Sequence, residues 1–405
     1  MRLLTIVALA AICHTAGAQQ VQALKFARVV DGNGTITPGG VVIVSGDTVL
    51  RVQDARAAIP RDAKVIDLTK YSAIPGLIDA HTHITYAYDP ESGLDPWNQG
   101  RREPDVIRRF QLENMRHTLE SGVTTIRDLG ASNYVDIALR DSVNKGVYVG
   151  PRMFVAGVGL SRRRLPDDSL IVAAVKQQVD HGADYIKMYG STGSGADVTG
   201  TETFSFEAMR VAVDAARQYG KRIAIHSYGP VGGHDAVFAG ATTIEHSIDL
   251  DDATLAEMVK RGTFYVPTID HNRYYAEYAK DLRYTPQQVA ALDSFRLLNT
   301  ATAKKAFQAG VKFGMGSDAV FHMFGQNSRE LGIYAQIGMT PAQALATATV
   351  NGAALLGMET KLGRIAPGYY ADIVAVEGDP TADIGVVING VKWVMKGGAV
   401  VVDRR

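Results

Sequence analysis

Residues 75–86 read "PGLIDAHTHITY". An apolar run, Ile74 to Ile78, passes through Asp79 and ends in two histidines one residue apart, His81 and His83. Alternate residues of a strand point the same way, so the two imidazoles project together from the end of a buried strand. The pair reads either as two ligands of one metal ion or as two polar residues that close a strand. What surrounds it decides between them.

Toward the C-terminus the same pattern recurs. Apolar runs ending in polar residues occur at "AIPGLIDAHTH", "TTIRDLG", "RMFVAG", "ADYIKMYG", "RIAIHSY", "TTIEHS", "TFYVPTI" and "KFGMGSD". Helix-like segments separate most of them, among them "PDVIRRFQLENMRHTLESG", "SLIVAAVKQQVDHG", "SFEAMRVAVDAARQYG" and "ATLAEMVKRG". Several end in Gly, which adopts the left-handed conformation that closes a helix. Eight strands in βα alternation over roughly 250 residues predict a (β/α)8 TIM barrel, with its site at the C-terminal ends of the strands. The rival, an open doubly wound sheet, lacks a G-x-G-x-x-G turn after its first strand.

The two ends of the chain differ from the middle. Short β-type runs separated by Gly, Asn, Asp and Pro turns come first, in "ALKFARVVDGNGTI", "GGVVIVSGDTVLRV" and "AKVIDL". They return last, in "YYADIVAVEGDP", "IGVVING", "VKWVMKGG" and "AVVVDRR". Both ends are expected to build one small β-sandwich. The predicted division is a leader over 1–18, the first sandwich part over 19–72, the barrel over 73–362 and the second sandwich part over 363–405.

The opening "MRLLTIVALAAICHTAGAQQ" has a positive Arg2, an apolar core from Leu3 to Ile12 and the small-x-small triplet Ala16-Gly17-Ala18. This is a signal-peptide pattern, too short to span a bilayer. The expected mature chain starts near Gln19 and is exported, to the periplasm or beyond. Ile12 is too large to precede a lipoprotein cysteine. Cys13 is the only cysteine, so the mature chain has no disulfide, no thiolate nucleophile and no cysteine-held metal. Lys plus Arg and Asp plus Glu both number 42. A formal charge of zero argues against a nucleic-acid partner and against a polybasic membrane anchor. A homo-oligomer is compatible with this composition.

The predicted strand ends carry chemistry. The first ends in His81 and His83, the fourth near Lys187, the fifth at His226, the sixth at His246 and the eighth at Asp318. In a barrel these ends converge on one mouth. Neutral imidazoles with a carboxylate suit zinc and similar divalent ions. Each residue alone also has a structural reading. His226 and His246 could be hydrogen-bonded strand ends, Asp318 a turn residue after Gly316-Ser317, and Lys187 the partner of a carboxylate. His14 falls in the leader, and His117, His181, His234 and His271 are read as structural. His322 follows Asp318 closely and has no assigned role. Tyr228, two residues beyond His226, faces the same side of its strand. It either packs at the rim or donates a hydrogen bond to an oxyanion or a substrate carboxylate.

Together "GLIDAHTH", "YIKMYG", "IAIHSYG", "TTIEHS", "GMGSD" and "GRIAPGYYADIVAVEGDP" resemble the amidohydrolase superfamily over nearly the whole mature chain. Within it the chain is most similar to Xaa-Pro and Xaa-Arg/Lys dipeptidases and to imidazolonepropionase-like hydrolases. The resemblance implies two divalent metal ions, Zn2+ by preference. His81, His83 and Asp318 would hold one, and His226 and His246 the other. Lys187 would be carboxylated and bridge them. A free lysine is an ammonium without a lone pair, whereas its carbamate is anionic with two oxygens. The implied chemistry is hydrolysis by a bridging water whose pKa two metals lower. Asp318 would act as general base and pass the proton to the leaving nitrogen. The implied substrate is a small amide, such as a dipeptide or an N-acyl amino acid.

The sequence also departs from these relatives. Dipeptidases often carry a Gly-Gly-His-like segment after the third strand. Here the segment reads "VAGVGLSRRRLPDD", without histidine. Arg162, Arg163 and Arg164 read either as a clamp for a carboxylate or as a solvated basic loop. "GSTGSGADVTG", residues 190–200, lacks the Gly-Lys-Ser/Thr of a phosphate loop and reads as a βα loop bordering the site. No G-x-S-x-G elbow supports a serine hydrolase. Three alternatives stay open: a cyclic-amide hydrolase, a mononuclear deaminase and a non-catalytic solute-binding barrel. Gly229 stands where deaminases tend to carry an acid, and Lys187 would then have no metal role.

Overall fold

The computed structural model describes residues 20–405 apart from 33, 95, 97, 98 and 196. The expected leader, with its cleavage site and Cys13, lies outside the described residues.

The first five strands are β1 (Gln22–Val30), β2 (Ile36–Pro38), β3 (Val41–Ser45), β4 (Thr48–Gln53) and β5 (Lys64–Pro75). Eight more follow through the middle of the chain: β6 (Leu77–Thr82), β7 (Val123–Asp128), β8 (Arg152–Val155), β9 (Tyr185–Tyr189), β10 (Arg222–Ser227), β11 (Thr243–His246), β12 (Phe264–Val266) and β13 (Lys312–Phe313). The last three are β14 (Ile373–Val376), β15 (Val391–Lys396) and β16 (Ala399–Asp403). The two ends of the chain meet in one mixed sheet of order β16-β15-β14-β5-β1-β3-β4, with β2 paired to β1. A core containing Leu24, Phe26, Val44, Leu68, Ile373 and Trp393 belongs to this sheet alone. Among the described residues no helix is long and apolar enough to cross a membrane.

The middle strands pair in parallel, β6-β7-β8 in one sheet and β9 to β13 in another. Isolated parallel bridges, Leu160 to Met188 and Thr82 to Ala319, join the two sheets at both edges. The eight strands therefore follow one another in chain order and lead back to β6. Every residue of β6 and β7 is buried, as expected of parallel strands covered on both faces. Between them run α1 (Pro104–Glu120), α2 (Val135–Asn144), α3 (Ile171–Asp180), α4 (Phe206–Gln218), α5 (Pro230–Ala239), α6 (Asp252–Arg261), α7 (Ile269–Glu277) and α8 (Pro286–Gln308).

Local chemistry sets the helix ends. Ser205 caps α4, Asp251 caps α6, and Thr285 with Gln288 forms a capping box at α8, where Pro286 takes the first turn. Gly240 and Gly262 close α5 and α6 in the left-handed conformation. Gly76 joins β5 to β6 where a Cβ would lie 2.0 Å from Thr124 Oγ1, so only glycine lets the end sheet dock this closely on β7.

Candidate metal centre

His81 is the penultimate residue of β6, and His83 follows the strand. Lys187 lies in β9, His226 in β10 and His246 at the end of β11, while Asp318 follows β13. All six are buried, and together with Tyr228 they line one cavity of about 420 Å³. Ring centroids are 5.5 Å apart for His81 and His83, 5.1 Å for His81 and His246, and 4.6 Å for His226 and His246. Asp318 Oδ1 lies 3.2 Å from His83 Nε2 and 3.4 Å from His81 Nε2. His81, His83 and Asp318 each offer a ligand atom, all within 4.8 Å of one another.

The outward-facing ring nitrogens fix how these histidines present themselves. His81 Nδ1 is 2.8 Å from Glu245 Oε2, and His83 Nδ1 is 3.2 Å from the Gly130 carbonyl. Carboxylates and carbonyls only accept, so both Nδ1 atoms donate. In the neutral ring Nε2 then carries a lone pair. With both rings neutral, two lone pairs would face a carboxylate oxygen at hydrogen-bond distance, an arrangement that calls for a proton on His83 Nε2 or for a cation. Such a donor set fits a cation, and the Nδ1 partners are the kind that orient metal-binding imidazoles. His246 Nδ1 is held likewise, 2.6 Å from Thr268 Oγ1.

Burial keeps most of the group neutral. It lowers His81 to about 4, helped by the charge of Lys187, and takes His226 and His246 well below the usual range. At His83 burial acts the same way, but the hydrogen bond and charge of Asp318 outweigh it and the net shift is upward. Burial lowers Lys187 to about 8, against the pull of Glu245 and Asp318. Tyr228 stacks on His226 at 5.1 Å, and burial raises its phenol, which stays protonated as a donor.

Two further carboxylates support the group. Asp79 accepts from Ser317 N at 3.0 Å, from Ser317 Oγ, from Asn327 Nδ2 at 2.9 Å and from His81 N at 3.2 Å. It thereby ties β6 to the turn that carries Asp318. Asp318 itself has φ 49° and His246 φ 73°, left-handed conformations that cost a non-glycine residue energy and that cluster at functional sites. Glu245 is fully buried between His81 and Arg127, whose Nη2 is 2.9 Å away, and Thr243 Oγ1 also donates to it. Burial pushes its carboxyl up, but Arg127 and His81 outweigh this and hold it at about 2. Sequence reasoning passed over Glu245 and Arg127. The available signal was a charge in the middle of each of two apolar strands.

The structure adds one histidine to the cavity wall. His271, read as structural, lies on α7 and lines the cavity, with Nε2 3.2 Å from Asp318 Oδ2. It follows a strand end by several residues, on a helix without a clear apolar stripe, so no periodicity pointed to it. His117, His181 and His234 lie away from the cavity, beside Glu120, Tyr134 and Asp235. His322 is exposed next to Tyr88, while its neighbour Phe321 lines the cavity. Ser191, Gly193 and Ser194 of the 190–200 loop border the cavity, as do Arg163 and Arg164.

The family model of the amidohydrolase family matches residues 72–401. The chain belongs to this family, and it is a hydrolase acting on carbon–nitrogen bonds. Ochratoxinase of Aspergillus niger is 27% identical, over 91% of this chain and 84% of that protein. Imidazolonepropionase of Symbiobacterium thermophilum is 25% identical, over 88% and 87%. Among solved structures, a Xaa-Pro dipeptidase with methionine bound in its active site superposes with a TM-score of 0.85 at 28% identity, covering 94% of this chain and 99% of that one.

Proposed function

We propose that the protein is a metal-dependent amidohydrolase that cleaves the amide bond of a dipeptide or an N-acyl amino acid. The observation that carries this reading is the convergence of His81 Nε2, His83 Nε2 and Asp318 Oδ1, three acceptors within reach of a single cation. We read the eight parallel strands as a (β/α)8 barrel, a reading supported by the two bridges that join their edges. The end sheet with its own core is read as a separate small β-domain flanking the catalytic unit; it is one mixed sheet where a two-sheet sandwich was expected, and β5 carries it to Pro75, past the expected boundary at 72.

His81, His83 and Asp318 would hold one divalent ion, most simply Zn2+, and His226 and His246 a second, with carboxylated Lys187 between them. Bound there, such ions supply hydroxide at neutral pH and polarise a carbonyl. The chain's own groups do the rest. A lysine lowered to about 8 has a neutral fraction at physiological pH, which carbamate formation requires. Asp318 accepts a proton from the attacking water and delivers it to the leaving nitrogen. Tyr228 keeps its proton and donates a hydrogen bond to the developing oxyanion or to the substrate. The site residues are buried, and in that low-dielectric setting each of these interactions is stronger than in water. The likeness to a Xaa-Pro dipeptidase supports a dipeptide, which carries a free carboxylate. The imidazolonepropionase likeness keeps a cyclic amide as the second reading. From the leader pattern we propose that this activity is exported, to the periplasm or beyond.

The deciding experiment is metal analysis of purified protein combined with a hydrolysis screen of dipeptides, N-acyl amino acids and lactams. About two divalent ions per chain and release of an amino acid are expected from this two-metal scheme. A protein without metal, and inactive after zinc and bicarbonate are supplied, would refute it.

A further inference from the structure

The run Arg162-Arg163-Arg164 divides into two roles. Ser161 O accepts from Arg164 N at 2.9 Å and from Leu165 N at 3.0 Å, so the run forms one tight turn closed by the buried Leu165. Arg162 pins this turn. Its Nε donates to Thr203 O at 2.8 Å, and its Nη1 donates to Leu165 O at 3.1 Å and to Asp168 Oδ1 at 2.8 Å. Its guanidinium also lies 4.1 Å from the centroid of the Phe204 ring. With one arginine fixed, the other two face the cavity that holds the histidines. Among the described residues, no side-chain hydrogen bond or ion pair engages Arg163 or Arg164. Elsewhere arginines of this protein find carboxylates readily, as Arg140 does with Asp141 and Asp184. Two guanidiniums at the rim of this cavity, neither held by a carboxylate of the described residues, supply the planar donors that suit a carboxylate.

Four aromatic rings, Tyr86, Tyr189, Tyr275 and Phe321, line the same space. Aromatic walls favour flat or apolar groups, while the cations set the charge of one end. We infer that Arg163 and Arg164 clamp a carboxylate of the substrate, so that the enzyme selects acidic amides whose other half is apolar or aromatic. This deepens the function proposed above and rests on it for the identity of the scissile bond.

The test compares N-acetyl-L-phenylalanine with its carboxamide, which differ in the carboxylate alone. Equilibrium binding of both is measured by calorimetry at low salt, on metal-loaded wild-type protein and on the Arg163→Gln/Arg164→Gln variant. Wild type is expected to bind the acid at least about tenfold more tightly, the scale of a charge-assisted contact. The variant should lose that preference while keeping its metal content and melting midpoint. Equal or absent binding of the two by wild type overturns the clamp. So does a preference that survives in the variant, which would place the carboxylate elsewhere. Hydrolysis of the pair is scored separately: a clamp that binds the acid but yields no product from any amide contradicts the proposed reaction and leaves the binding result standing.

Discussion

His271 Nε2 lies 3.2 Å from Asp318 Oδ2, while the other oxygen of the same carboxylate faces His83 at 3.2 Å and His81 at 3.4 Å. Asp318 is therefore held by one oxygen and presented by the other. A carboxylate free to rotate would offer either oxygen to either role. His271→Ala is expected to lower kcat about 10- to 100-fold, the usual cost of removing a group that orients a metal-site ligand. Its metal content should stay near that of wild type, unlike an Asp318→Asn protein. Metal analysis alongside steady-state kinetics separates the two. A His271→Ala enzyme with full turnover would show that the contact does not position Asp318.

Glu245 links Arg127 to His81 inside the ring of strands, with both charged side chains fully buried. Removing one partner of such a pair leaves the other charge uncompensated, at a cost of about 3–5 kcal/mol. Glu245→Gln should therefore lower the denaturation midpoint through Arg127 and also weaken metal retention through His81. The double variant Arg127→Met/Glu245→Gln should recover stability without recovering metal. Equal midpoints for Glu245→Gln and wild type would mean that the pair contributes little.

Much of this site was legible because each strand carried its polar residue at its end. The apolar runs before His81, His226 and His246 became strands, Lys187 fell inside β9, and Asp318 lies in the loop after the two-residue β13. What escaped depends on register between distant strands. Glu245 meets Arg127 only because β11 and β7 face each other across the interior, a pairing that no local pattern encodes. The end sheet follows the same rule. Its two halves were visible as β-type runs, but not the insertion of β5 between β14 and β1, with β1 and β5 parallel. His271 was missed for another reason: it acts from a helix, where strand alternation says nothing.

That helix has an unusual start. Thr268, the residue before α7, has φ 50°, and its hydroxyl is engaged by His246 instead of capping the helix. Glu330 caps in its place, accepting from Ile269 N at 2.9 Å and Asp270 N at 2.8 Å. Burial raises its carboxyl from 4.5 to about 8, against those two hydrogen bonds. A raised folded value means that the folded state holds the proton more tightly than the unfolded chain. Stability is then fully present below about pH 4.5 and declines as pH rises toward 8. Glu330→Gln cannot ionise, so its stability relative to wild type should rise between pH 5 and pH 8 in denaturant titrations, a window set by that shift. Parallel pH curves for the two proteins would show that Glu330 is ionised throughout. Glu330→Ala removes the cap outright and should cost about 1–2 kcal/mol near pH 5, where the carboxyl keeps its proton, and less toward pH 8.

Lys187 tests the proposed centre most directly, because its two readings give opposite results. As an unmodified lysine it is a buried ammonium, disfavoured by burial and by the charge of Arg127 against the pull of Glu245 and Asp318. Lys187→Ala would then relieve that burden and leave the protein as stable or more so. As a carbamate it supplies the anion that holds two cations together, and its loss should release metal, abolish turnover and lower the melting midpoint. A ligand held at a hundredfold its Kd contributes about 2.7 kcal/mol to stability, so loss of bound metal is readable in a thermal melt. Chelation of wild type should lower the midpoint in the same way, and divalent metal with bicarbonate should restore it. In Lys187→Ala the chelator should have little left to remove, and a short carboxylate such as acetate should return part of the activity. A variant that keeps its metal and its turnover would exclude Lys187 as a bridging ligand.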